Sequence, residues 1–140
     1  MSIKNKIIVT AIVVVSFCIT GILGYSIVKD VSDQPIVTVY ANEILVAGEY
    51  GEAIPLSNAE VTLVNEPIKV TMRKSGVSQD ASLKGRYSVK GIDSSVFVSI
   101  LNKENSYILI KNQDGVYALN LETNQKTQSL YREILNASKK

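Results

Sequence analysis

The sequence predicts an N-terminal transmembrane α-helix followed by a mainly-β domain, in which two bent antiparallel sheets or a split barrel are capped by a C-terminal helix. Three observations lead there. Residues 7–28 carry no charge and are dominated by Ile, Val, Leu and Ala. Between residues 36 and 121, apolar side chains recur at every second position in short runs separated by turn-forming residues, the period of half-buried strands. From residue 123 the spacing changes to three and four, that of an amphipathic helix.

The uncharged run is flanked by Lys4 and Lys6 before it and Lys29 after it. As a helix it would reach about 33 Å, enough to cross a hydrocarbon core of about 30 Å and contact the lipid bilayer through residues 7–28. The rival reading is a cleaved secretory signal. Signal cores are roughly 7 to 15 residues long and end at small residues, whereas this run is longer and leaves through Ile27, Val28 and Lys29, so an uncleaved anchor is expected. Cys18 follows the bulky Phe17, where lipoprotein processing calls for a small residue, and reads as an apolar-like helix residue. Lys4, Lys6 and the α-amino group outweigh Lys29, which places the amino terminus in the cytoplasm and the domain outside, in a single-pass protein of the cell membrane. Cys18 is the sole cysteine, so the domain's stability has to come from its core.

Residues 1–29 are thus a cytoplasmic tip and span, residues 30–35 a short linker ending at Pro35, and residues 36–140 one domain by size. Residues 30–140 hold 12 bases and 13 acids. That balance, with few aromatic residues for stacking, argues against a nucleic-acid partner.

Along the domain, Val37 and Val39 alternate with Thr38 and Tyr40, and Ile44-Leu45-Val46-Ala47 ends at Gly48; both read as short strands. Ala53-Ile54-Pro55-Leu56 is demoted by its proline to a strand end or sheet edge. Val61-Thr62-Leu63-Val64 follows. Residues 68–91 look least regular, interrupted by Gly76, Ser78, Ser82 and Gly85, with one strand at residues 86–90. Then Val96, Val98 and Ile100, next Ile108 and Ile110, and last Tyr117, Leu119 and Leu121 alternate with their neighbours as a three-stranded meander. Its second turn contains Asp114-Gly115, a pair suited to positive φ. Thr127, Leu130, Tyr131, Ile134 and Leu135 form one face of a helix at about residues 123–137, with Thr123 as its N-cap. That stripe has to be covered by the sheet beside it.

Tyr50-Gly51, Ile54-Pro55-Leu56, Val61-Thr62-Leu63, residues 73–76, Gly85-Arg86-Tyr87, Ile108-Leu109-Ile110, Asn120, Thr127 and Leu130-Tyr131 occur in an order that resembles bacterial pleckstrin-homology-like domains. Such domains sit behind membrane helices in Gram-positive bacteria. The resemblance spans about residues 36–135 and implies two near-orthogonal antiparallel sheets with a helix capping one open corner. It implies little about activity, because that fold serves unrelated roles. Lipid-headgroup binding in eukaryotic relatives depends on a basic loop between the first two strands. The corresponding Ala41-Asn42-Glu43 has no base, so phosphoinositide binding is not carried over.

The chain has no histidine, which removes Ser-His and Cys-His nucleophile pairs, histidine metal sites and imidazole acid–base catalysis. Glu49 with Glu52, or Ser88 with Lys90, could be drawn as a carboxylate pair or a Ser-Lys pair, but both read as solvated surface residues. No phosphate loop, dinucleotide fingerprint or calcium loop occurs, and no catalytic residue, cofactor or metal site is expected. One charge feature stands out: residues 69–90 contain Lys69, Arg73, Lys74, Lys84, Arg86 and Lys90 against Asp80 alone. Lys69, Arg73, Lys74, Lys84 and Arg86 are the candidate contacts for an anionic lipid or wall polymer; the bland alternative is solvated bases paired with acids elsewhere. The expectation is a non-catalytic interaction domain that binds a protein partner, itself as a homo-oligomer, or an anionic surface. The alternative is an accessory or regulatory subunit of a membrane enzyme or transporter, whose span packs on partner helices through Gly21 and Gly24.

Overall fold

Where an apolar strand alternates, one face must be covered; where it does not, both must be. The computed structural model of the chain describes residues 36–139, most of the second of two units into which the chain divides, Pro35–Lys140. The expected membrane span at residues 7–28 and the linker at residues 30–35 lie outside the described residues. The one described helix is not long and apolar enough to cross a membrane.

Among the described residues, nine strands and a helix follow one another: β1 (Val37–Val39), β2 (Glu43–Val46), β3 (Glu52–Pro55), β4 (Glu60–Val64), β5 (Val70–Gln79), β6 (Ser82–Val89), β7 (Ser95–Ile100), β8 (Tyr107–Asn112), β9 (Gly115–Leu119) and α1 (Asn124–Ser138). β1, β2 and β3 form an antiparallel sheet in that order, and the other six form a second sheet in the order β4-β8-β9-β7-β6-β5. A mainly-β domain of two sheets with a C-terminal helix is therefore what the chain builds. Pro55 ends β3, an outer strand of the small sheet, where a residue without an N–H leaves no ladder bond unmade.

Three local expectations need correcting. First, residues 68–91 are the longest hairpin of the domain, ten residues of β5 paired with eight of β6. Its two-residue turn has Asp80 at φ 45°, and Gly76 and Gly85 face each other at φ 105° and 123°. A Cβ on either glycine would run into the opposite backbone, so the glycines that look like interruptions are what allow the two strands to bend together.

Second, β7, β8 and β9 are not a meander. β9 lies between β7 and β8, antiparallel to β8 but parallel to β7, with Val96↔Val116 and Ser99↔Leu119 in register. The larger sheet is therefore mixed. Residues 101–114, which include β8, are the crossover that a parallel pair requires. Third, Asp114-Gly115 has no positive φ. The Asn112 side chain turns the chain instead, its Oδ1 accepting from the Asp114 and Gly115 N–H groups at 2.8 and 3.0 Å.

Two apolar clusters fill the domain. One gathers Ile44, Val46, Ile54 and Leu56 from the β1–β4 region, Phe97, Ile108, Ile110, Tyr117 and Leu119 from one face of the large sheet, and Leu130 and Ile134 from α1. The other, with Leu83, Tyr87, Val89, Val96, Val98, Ile100 and Tyr107, comes wholly from the large sheet and its connections. A face buried by its own sheet requires that sheet to curl over itself.

The helix matches its expected span closely. Thr123 Oγ1 accepts from the Lys126 N–H at 3.2 Å as an N-cap, and Thr127, Leu130 and Ile134 are buried, with Tyr131 half-buried. α1 lies against β1, β4 and β8 rather than across a meander. Truncating a buried aliphatic loses its transfer energy and leaves a cavity, so Leu130→Ala or Ile134→Ala should each cost about 2 to 5 kcal/mol. Exposed Gln128→Ala should stay within about 0.5 kcal/mol. Chemical denaturation of the three variants checks this, and equal midpoints would remove α1 from the core.

Candidate functional site

The β5–β6 hairpin carries nearly all the residues singled out by charge. Strand alternation and register decide where they point. Leu83, Gly85, Tyr87 and Val89 are the buried set of β6, so Lys84, Arg86 and Ser88 occupy its other face. Arg73 is in register with Tyr87, whereas Lys84 pairs with Val77. Arg73 thus projects on the side opposite to Lys84 and Arg86. Lys74 falls within a register shift between Arg73 and Ser75, without a partner position on β6. Lys69 precedes β5. The hairpin brings four of the five bases into one element but divides them between its two faces and a register shift.

Their partners differ as well. Arg86 donates to both carboxylate oxygens of Glu52, at 2.6 and 2.8 Å, with both side chains partly covered. Both bonds leave the one nitrogen Nη2, and the charge-assisted pair ties β6 of the large sheet to β3 of the small one. Glu52, which the sequence offers beside Glu49, is thus engaged by Arg86. Lys69 stands 4.0 Å from Glu66 in an exposed pair, worth little in water. Among the described residues, no carboxylate lies within 4.0 Å of Arg73 or Lys74.

Charge counting misses two further residues. Met72 and Val77 of β5 are 64% and 38% exposed, on the same face as Lys84 and Arg86 by register. Their signal was present in the Val70-Thr71-Met72 alternation, but the glycine and serines that follow mask it.

The ends of three tyrosines report on this region. Tyr87 donates its hydroxyl to the Val77 carbonyl at 2.8 Å. Burial raises the Tyr87 pKa above its ordinary value, partly offset by the nearby Arg73 guanidinium. Burial also raises that of Tyr117, helped by Glu52 and Asp114 and opposed by Arg86 and a hydrogen bond with Asn112. Tyr107 is raised by burial and by Glu66. Of the pair Ser88 and Lys90, the Ser88 carbonyl receives the Thr71 hydroxyl at 3.3 Å, and Lys90 is exposed.

Elsewhere, an open groove of ≈ 430 Å³ runs between β1 and α1, with Val37, Leu121 and Leu130 as its apolar lining and Gln125, Lys126, Ser129 and Glu133 as its polar one. Lys126 is engaged by Glu122. Among the described residues, no group of three or more Cys, Asp or Glu is placed to hold a metal ion. No protein-family model, curated protein or solved structure matches the chain.

The tyrosines set an alkaline limit. With folded pKa values above the unfolded value near 10, all three are neutral in both states at lower pH, and their contribution is fully present there. As pH rises past about 10 the unfolded chain ionises first and stability is lost. Thermal midpoints should be level between about pH 7 and 9 and fall above about 10, and Tyr117→Phe should soften that fall.

Proposed function

We propose that the chain is a single-pass membrane protein, anchored by residues 7–28, whose β domain stands outside the cytoplasmic membrane and acts by binding rather than by catalysis. The observation that carries the binding role is β5: a ten-residue strand at the end of the large sheet, exposed at nearly every position, with Met72 and Val77 in water and, among the described residues, no acid within 4.0 Å of Arg73 or Lys74. Surfaces of that mixed apolar and basic character suit recognition of a protein, of a second copy or of an anionic polymer. The pleckstrin-homology-like reading is part of this proposal. The two sheets and the C-terminal helix support it, and the parallel β7–β9 pair departs from that family's antiparallel order.

The anchor is supported by the absence of charge in residues 7–28, and its direction by Lys4 and Lys6 against Lys29. In cells, the chain should resist extraction by alkaline carbonate, and protease added to intact protoplasts should remove a carboxy-terminal tag. Protection of the tag until lysis would reverse the topology. For the anionic-surface arm, Arg73→Gln with Lys74→Gln should leave the thermal midpoint nearly unchanged, since exposed charges contribute little to stability. The same change should abolish retention on an anionic polymer, a retention that weakens with salt in the unmodified protein. Retention equal in both would take Arg73 and Lys74 out of the binding surface.

A further inference from the structure

We propose that the open edge of β5 pairs with β5 of a second copy, antiparallel, about a two-fold axis through Val77. This deepens the interaction-domain reading and rests on it, naming the partner. β5 is bonded to β6 on one side, and among the described residues no strand covers the other. An edge strand presents N–H and C=O groups that can accept one more strand. Register shifts disturb β5 between Val70 and Met72 and between Arg73 and Ser75, but from Ser75 to Gln79 each residue pairs in step with β6. That regular half is long enough for an added ladder.

Symmetry and charge select the register. Antiparallel pairs alternate between hydrogen-bonded and non-hydrogen-bonded kinds. A two-fold axis normal to the sheet must therefore pass through a residue that faces itself, because adjacent pairs differ in kind and cannot be exchanged. Centring on Val77 sets Gly76 opposite Ser78, Ser75 opposite Gln79 and Lys74 opposite Asp80 of the other copy. Lys74 and Asp80 are both exposed, and among the described residues neither has an opposite charge within 4.0 Å. The dimer supplies each with its counter-ion, twice. Centring one residue earlier or later faces Lys74 with Ser78 or Ser82 and loses both pairs.

The carbonyl of Val77 already accepts from Tyr87, so Val77 fits the non-hydrogen-bonded position on the axis, where side chains come closest, and its half-exposed side chain meets its own copy. The two Arg73 residues lie at opposite ends of the ladder, so no like charges are apposed. A bilayer fits less well, because the bases divide between two faces of the hairpin and Arg86 is held by Glu52. The new ladder is short and its interface small, so pairing depends on the raised effective concentration of copies held in one membrane.

Cysteine crosslinking of the full chain in its own membranes tests the proposal, in a Cys18→Ser background. Val77→Cys should yield a disulfide dimer under mild oxidation, and Met72→Cys, far from the axis, should yield at least fivefold less. Adding Lys74→Asp to Val77→Cys should cut the dimer at least fivefold, whereas Lys74→Arg should preserve it. Asp80→Asn, which keeps a residue tolerant of positive φ, should also weaken it. Unchanged thermal midpoints keep these effects separate from folding. Equal yields at positions 72 and 77, or a dimer indifferent to Lys74→Asp, would overturn the pairing. Release of the chain by alkaline carbonate would instead count against the anchored reading on which it rests.

Discussion

β7 is buried on both faces, and the rest of the domain is arranged to cover it twice. Phe97 points into the cluster shared with the small sheet and α1, while Val96, Val98 and Ile100 point into the other. A fully buried aliphatic or aromatic side chain contributes about 1.5 to 3 kcal/mol, so neither face can be left to water. One face receives a separate layer, the small sheet and the helix. Among the described residues the second receives none, and the large sheet with its connections brings Ile68, Val89 and Tyr107 around the same cluster. The facing glycines Gly76 and Gly85 permit the close approach at the outer hairpin.

On its edges β7 is flanked by β6 and, in parallel, by β9. The parallel pair creates a polar problem, because the chain leaving β7 must pass the end of β9 with its peptide groups in a half-buried place. Asn120 resolves it. Its Oδ1 accepts from the Leu101 and Asn102 N–H groups at 2.8 and 3.2 Å, and its Nδ2 donates to the Asn102 and Ser106 carbonyls at 2.7 and 3.2 Å. Both side-chain groups are fully used at 2% exposure, the condition under which a buried amide specifies a structure instead of weakening it. The network continues to the helix: Asn124 Oδ1 receives the Ser106 N–H and hydroxyl, and the buried Thr127 hydroxyl accepts from Leu121 N–H and donates to the Thr123 carbonyl. The start of α1 is thus fastened to the crossover that makes the parallel pair possible.

Alternation and helical spacing are local signals, and what was legible follows that boundary. The strands at residues 96–100, 107–112 and 115–119 and the helix with its Thr123 cap could be read because each is a pattern within its own segment. Neighbour relations could not: the same alternation in β7, β8 and β9 is compatible with a meander or with β9 inserted between the other two. The β5–β6 hairpin was hidden for another reason. Its edge strand has little to bury, so it lacks the apolar signature, and its facing glycines resemble breaks. At the candidate site, charge density could be counted but not divided, because whether neighbouring bases share a face depends on register shifts absent from composition. The partnership of Arg86 with Glu52, 34 positions away, is likewise a product of the two sheets meeting.

An outer strand is a hazard unless something limits what can join it, and β5 differs from the other strand ends in how it is guarded. β3 ends in a proline, and β1 is three residues long with α1 alongside. The first half of β5 is guarded by irregular register and by Arg73 and Lys74, devices that twist an edge or repel a like-charged strand. From Ser75 to Gln79 neither device operates: the register is regular, the side chains are neutral, and the half ends at a turn whose Asp80 carries the opposite charge to Lys74. Guarding one half of an edge and leaving the other open restricts pairing to few registers. The charges that exclude a general partner at one end are, in the one antiparallel register centred on Val77, the charges that admit a second copy.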